Sequence, residues 1–144
     1  MDVLTETVIE RPVDVVASFA ADPSNVPSWY RNISRVEWQT DPVVAPGSRI
    51  AFVAHFLGRT IEYVYEIVEY VPHERLVMRT AGKPFPMETT YTWQDAGDGR
   101  TRMTLRNSGH PKGFAAIGAR ALAAAMRTAN TKDLAQLKAI LEGA

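Results

Sequence analysis

The side chains in this chain best suited to chemistry are phenols and amides. Tyr63 and Tyr65 stand two residues apart and so share one face of any extended segment, and Tyr91 sits in a second such segment. A buried phenol normally needs a partner for its hydroxyl. Facing inward, these tyrosines either bond a ligand's carbonyl, bond one another, or form an aromatic core satisfied by neighbouring side chains and water. Asn107 ends an alternating stretch on its inward face. Asn130 lies four residues from both Met126 and Leu134, on the apolar side of a helical pattern. A buried amide without partners costs ~1–3 kcal/mol, so Asn130 either bonds to structure, reaches a cavity or turns into water.

The charged candidates are weaker. Glu62, Glu66 and Glu88 have the chemistry of general acids and bases, but the alternation puts all three on a solvated face. A bulge would reverse that, because a one-residue slip exchanges the faces of a strand. Arg79 and Arg106 also read as outward, and Arg127 falls near a helix edge. Glu88 and Arg106 are expected to pair across outward faces, a contribution of ~0.2–1 kcal/mol to the sheet. His55 falls on an outward face, and His73 and His110 in turns. None of the three has the i, i+4 spacing of a metal site, so no metal is expected. With no cysteine, disulfides and thiolate chemistry are excluded. There is no Gly-X-Ser-X-Gly elbow, phosphate-cradling loop or dinucleotide fingerprint, and no cofactor is expected. Ser108-Gly109-His110 reads as the approach to a helix rather than part of a triad.

The elements that must position these residues follow from periodicity. Thr5 to Glu10 reads as a strand closed by Arg11-Pro12, and Pro12 suits the first position of a short helix carrying Val15, Val16 and Phe19. Pro23 and Pro27 bracket a second short helical turn with Trp29 and Tyr30. From Ile33 to Asn107 the period is two, with strands near 33–40, 48–56, 60–70, 75–80, 87–94 and 100–107. Asp95-Ala96-Gly97-Asp98-Gly99 supplies the glycines of a hairpin turn. A long helix of about thirty residues then begins near Pro111 and ends before Gly143, spanning roughly 45 Å. Its apolar stripe runs through Phe114, Ile117, Gly118, Ala121, Leu122 and Ala125, then Met126, Leu134, Leu137 and Leu141. The expected architecture is α+β: a curved antiparallel sheet of about seven strands, two short helices after the first, and a long C-terminal helix, in one domain over residues 1–144.

Composition narrows the partners. Sixteen basic residues balance sixteen acidic ones, which argues against nucleic acid or an anionic membrane as the main partner. Near-zero charge weakens colloidal repulsion and makes a homodimer plausible. Met1 to Glu6 lacks a basic region followed by an apolar run, and no apolar stretch approaches the ~18 residues of a spanning helix. A cytoplasmic protein without membrane insertion is the expectation.

These elements imply an internal space. One sheet face must bury Phe52, Phe56, Tyr63, Tyr65, Met78, Met87, Tyr91 and Trp93, and the helix that covers it is lined in the middle with alanine and glycine. A bent sheet cannot touch a straight helix along its whole length, so the remaining volume is either filled by aromatic side chains or left as a pocket. The candidate lining is Trp29, Phe52, Phe56, Tyr63, Tyr65, Met78, Met87, Thr89, Tyr91, Asn107, Leu122, Met126 and Asn130. Trp29 and Tyr30 with Pro27, and the loop Lys83-Pro84-Phe85-Pro86-Met87, read either as lids over the mouth or as aromatic plugs in the core.

Three stretches carry a family resemblance: Ile9-Glu10-Arg11-Pro12-Val13-Asp14-Val15-Val16; Asp22-Pro23 to Trp29; and Tyr65-Glu66-Ile67-Val68-Glu69-Tyr70-Val71-Pro72 with Arg75-Leu76. With the order of elements, they resemble the helix-grip fold of the START-related superfamily, also called SRPBCC or Bet v 1-like, and its bacterial polyketide-cyclase/dehydrase branch. The resemblance covers essentially the whole chain. It implies binding of a lipid, polyketide, hormone or other hydrophobic small molecule. Some members are aromatase/cyclases and others carry no reaction, and no catalytic motif spans the superfamily. Three functions follow as alternatives: a non-enzymatic carrier or sensor of an apolar ligand, a polyketide cyclase or dehydratase, and a co-chaperone-like interaction module.

Overall fold

Alternating β-branched and aromatic residues build a seven-stranded antiparallel sheet in this computed structural model, which describes residues 1–80, 86–110 and 118–143. The strands are β1 (Asp2–Ile9), β2 (Ile33–Trp38), β3 (Arg49–Phe56), β4 (Arg59–Val71), β5 (Arg75–Thr80), β6 (Met87–Gly97) and β7 (Arg100–Gly109). Their spatial order is β1-β7-β6-β5-β4-β3-β2. Strands β2 to β7 thus form a simple meander, and β1 closes against the last of them. Between β1 and β2 the chain crosses from one sheet edge to the other through α1 (Val13–Ala20), a 3-10 turn (Pro23–Asn25) and α2 (Val26–Trp29). Pro12 sits one position earlier than expected, as the cap whose carbonyl accepts from the amides of Val15 and Val16.

Two local features set register. Asp98 and Gly99 both take positive φ (56° and 71°), the geometry a two-residue hairpin turn demands. Bulges between Ile67 and Glu69 and between Asp95 and Gly97 bend the long strands. The expected Glu88–Arg106 pair does not form. Glu88 lies directly opposite Arg79 across β5–β6 and takes its guanidinium at 2.7 Å, while Arg106 reaches the other way, to Asp2 on β1 at 2.6 Å. In the β6–β7 register Glu88 faces Ser108, two residues beyond Arg106.

Helix α3 (Ala119–Gly143) is 25 residues long, about 37 Å. The residues before it, including Pro111, Phe114 and Ile117, lie outside the described part of the chain. It follows Gly118, which takes φ +87°. The helix packs along β1 and caps that strand's open edge: Lys138 Nζ donates to the Val8 carbonyl at 2.6 Å and Arg127 Nη1 to the Leu4 carbonyl at 3.1 Å. Covering the edge removes a template for unwanted strand pairing. The solid core gathers at the C-terminal half of α3, where Leu134, Leu137 and Leu141 meet Ile9, Val16, Trp29 and Met103. No helix among the described residues is long and apolar enough to cross a membrane.

Candidate functional site

Toward the N-terminal half of α3 the large apolar side chains thin out to Leu122 and Met126. Ala129, with Ala124 and Ala125 further out, cannot fill the space above the aromatic floor laid by β3, β4 and β6. The floor and the helix instead enclose an inner pocket of about 100 Å³. Phe52, Ala54 and Phe56 of β3, Ile61, Tyr63 and Tyr65 of β4, and Thr89 and Tyr91 of β6 form its floor, and Met126, Ala129, Asn130 and Asp133 of α3 its roof. Aromatic packing fixes the floor: the Phe52 ring stacks on Tyr63 at 5.5 Å and meets the edge of Tyr65 at 5.7 Å. A more open outer chamber of about 570 Å³ adjoins it, lined by Arg31, His55, Leu57, Ala125, Thr128 and Lys132 among others. Asn32, Phe56, Ala129 and Asp133 line both chambers.

Crossing the roof and floor is a chain of hydrogen bonds with one direction. Thr89 gives its hydroxyl proton to Asn107 Oδ1 at 2.5 Å, so the Tyr65 hydroxyl, 2.5 Å from Thr89 Oγ1, must donate. Asn107 Nδ2 donates to Asn130 Oδ1 at 2.9 Å. With its oxygen thus occupied, Asn130 bonds the Asp133 carboxylate through its amide N–H. Asp133 Oδ1 also accepts from the Arg31 backbone N–H at 3.1 Å. From Tyr65 through Thr89 and Asn107 the donors run toward Asn130, an arrangement in which successive bonds polarise one another, while Asn107 Nδ2 also donates to Met126 Sδ at 4.0 Å.

Asp133 itself is 2 % exposed. Burial pushes its carboxyl up to about 6, opposed by the Arg31 backbone N–H and the Asn130 side chain. Burial likewise pushes the phenols of Tyr30, Tyr63, Tyr65 and Tyr91 well above their ordinary range, and the Asp133 charge adds to this at Tyr30, Tyr63 and Tyr91. Tyr30 and Tyr91 bond each other through their hydroxyls at 2.7 Å. Tyr63 differs: its ring packs on Phe52 and Tyr65, but its hydroxyl has no hydrogen-bond partner among the described residues.

Of the thirteen residues singled out from sequence, ten come together around the inner pocket: Phe52, Phe56, Tyr63, Tyr65, Met87, Thr89, Tyr91, Asn107, Met126 and Asn130. Three do not line it. Trp29 is fully buried behind Tyr30, ring centroids 4.4 Å apart, so Tyr30 presents the face toward the pocket. Met78 is buried in the main core, and Leu122 packs in a small cluster with Met1, Phe56, Ile61 and Met87. Of the second expected lid, 83–85 lie outside the described residues, and the Met87 amide donates to Thr80 Oγ1 at 3.0 Å. Asp133 was not anticipated. Its signal was its position, three residues after Asn130 and four before Leu137, on the stripe that faces the sheet. Among the described residues no three His, Asp or Glu side chains gather where they could hold a metal.

Solved structures with this fold are numerous. TTHA0849 of Thermus thermophilus superposes with a TM-score of 0.80 at 17% identity, covering 99% of this chain and 98% of that one. The Zhui aromatase/cyclase of Streptomyces sp. R1128 gives 0.80 at 14% identity, covering 99% and 93%. The major latex-like protein 151 of Panax ginseng gives 0.75 at 14%, covering 96% and 95%. At these identities the likeness is one of fold, the helix grip of the SRPBCC superfamily. No curated protein sequence matches significantly. The family model described as polyketide cyclase / dehydrase and lipid transport matches residues 1–142, and the chain belongs to that family.

Proposed function

We propose that the protein binds a hydrophobic small molecule between the sheet and α3, with its polar end held at the buried amide–carboxylate chain. The observation that carries this reading is the inner pocket, an aromatic and aliphatic chamber into which a few placed polar groups converge. Apolar burial at ~25 cal/mol per Å² would supply most of the affinity. The family description, with lipid transport in it, supports the same reading. Titration with the neutral fluorophore N-phenyl-1-naphthylamine tests it. The expected result is saturable one-to-one binding that is lost in Ala129→Phe, which fills the roof, while the circular dichroism spectrum stays that of the wild type. Binding unchanged by the filled roof would place the dye elsewhere and reject the pocket.

A second reading, a cyclase or dehydratase, is favoured by Asp133. A buried carboxyl titrating near neutrality beside free and paired phenols suits general acid–base chemistry. Asp133 would take a proton from the carbon next to a ketone, and the Tyr63 hydroxyl would hydrogen-bond the resulting enolate oxygen. Family membership and an aromatase/cyclase among the neighbours in fold support this reading. Product profiles from a poly-β-ketone substrate that stay unchanged in Asp133→Asn, Tyr91→Phe and Asn107→Ala would remove it. For an interaction module, the exposed large apolar residues among those described (Leu4, Val15, Val43, Leu57, Val64 and Val71) are spread over separate elements, which favours the pocket over a docking face.

A further inference from the structure

The polar groups left unsatisfied in the inner pocket define what a bound molecule must offer. The hydroxyl protons of Tyr65 and Thr89 are committed to Thr89 and Asn107, and the Asn107 amide donates to Asn130 Oδ1 and toward Met126 Sδ. Asp133 remains an acceptor: a carboxylate has about four lone-pair sites, and two of its partners are the Arg31 amide and Asn130. Tyr63, which lines the same pocket and feels the Asp133 charge, holds a hydroxyl with no partner among the described residues. One group that both donates and accepts would satisfy the pair, and a hydroxyl is the smallest such group.

Charge and size narrow the class further. A carboxylate ligand would meet Asp133 with like charge in a site poor in water. An ammonium would suit Asp133 but must pass the outer chamber, where Arg31 and Lys132 present positive charge. A neutral molecule meets neither barrier. The inner volume of about 100 Å³ is below the ~150 Å³ that holds a benzene ring in an engineered protein cavity, so the deep end admits at most one ring, with small adjustments. The rest of the ligand must lie along Phe56 and Ala129 toward the outer chamber.

Building on the hydrophobic-ligand reading, we infer that the ligand is a neutral, hydroxyl-headed amphiphile, a single phenol-like ring bearing an apolar tail. Its hydroxyl donates to Asp133 and accepts from Tyr63, and its tail leaves through the outer chamber.

Isothermal titration calorimetry at pH 7.5 with four probes of matched shape tests this: 4-pentylphenol, 4-pentylanisole, 4-pentylbenzoate and 4-pentylbenzylammonium. The phenol should bind about 10- to 100-fold tighter than its methyl ether, the range expected for a hydrogen bond to a charged acceptor. In Tyr63→Phe both probes should weaken severalfold with the ratio little changed, because the ether keeps the oxygen that accepts from Tyr63, and in Asp133→Asn the ratio should drop by about tenfold, since only a neutral acceptor remains. Equal binding of phenol and anisole, or tighter binding of the benzoate or the ammonium, would overturn the hydroxyl-headed ligand and leave the apolar pocket standing. Failure of all four probes to bind would reject the pocket reading itself, and this inference with it.

Discussion

Replacing Asp133 by asparagine should make the empty protein more stable at neutral pH, although it removes a buried, hydrogen-bonded side chain. An ordinary aspartate titrates near 3.8, and burial raises Asp133 to about 6. Each pH unit between those values is worth about 1.4 kcal/mol, so the ionised side chain weakens the fold by about 3 kcal/mol at pH 7.5. The sign follows from proton binding. Between about pH 4 and pH 6 the folded protein holds a proton that the unfolded chain has released, so stability declines as pH rises through that window and is level above it. Asparagine keeps an oxygen for the Arg31 amide but turns an N–H toward the donating amide of Asn130, a loss of about 1 kcal/mol. Asp133→Asn should therefore gain about 2 kcal/mol at pH 7.5 and lose about 1 kcal/mol at pH 4. Urea unfolding followed by tryptophan fluorescence, repeated from pH 4 to 7.5, measures the difference. The other groups around Asp133 do not confuse it. Tyr30, Tyr63 and Tyr91 are held protonated by burial, and the basic side chains that line the outer chamber, Arg31, His55 and Lys132, are present in both proteins. A variant-minus-wild-type difference that is flat across this range, or that grows toward acid, would refute the buried-carboxylate account.

Three further substitutions test the packing around the pocket. Tyr65→Phe strips the donor from Thr89 and should lower the unfolding free energy by about 1 kcal/mol, whereas Tyr63→Phe removes a hydroxyl without a partner among the described residues and should change it by less than about 0.5 kcal/mol; a larger loss at Tyr63 in urea titration would contradict this. Gly109→Ala places a methyl 2.4 Å from the Pro86 carbonyl oxygen and 3.2 Å from Met87 Cα, both backbone, so unfolding should become easier by about 1–3 kcal/mol, read as a lower thermal midpoint. Arg106→Ala breaks an exposed pair with Asp2 and should cost little, less still at high salt, when measured by denaturant titration in 0.05 and 1 M NaCl.

Strand alternation alone makes the floor of the site legible. Phe52, Tyr65, Tyr91 and Asn107 are inward because each sits an even number of residues from an unmistakably buried neighbour, and no bulge falls between. What local pattern could not carry is register and depth. Glu88 faces Arg79 rather than Arg106 because of an alignment between strands set by bulges and turns elsewhere in the sheet. Trp29 and Tyr30 are adjacent in sequence, yet one is sealed in the core and the other faces the pocket, a distinction settled only by how α2 docks against α3.

Asp133 is the more instructive omission. An acidic residue in a helix is ordinarily solvated, and that expectation hid one lying on the same stripe as Asn130 and Leu137. Its burial breaks a local rule at a measurable cost, about 3 kcal/mol at neutral pH from its raised titration. Leucine at that position would continue the stripe, fill part of the inner pocket and remove the penalty. A fold selected for stability alone has every reason to make that exchange. A fold that needs an acceptor at the meeting point of its two chambers does not, and such rule-breaking positions are where functional sites concentrate. Ala129 in the roof belongs to the same pattern, as do Ala124 and Ala125 along the outer chamber: they forgo packing that larger side chains would supply. Space and an acceptor, each unfavourable to the empty protein, occur together, and a bound molecule would offset both.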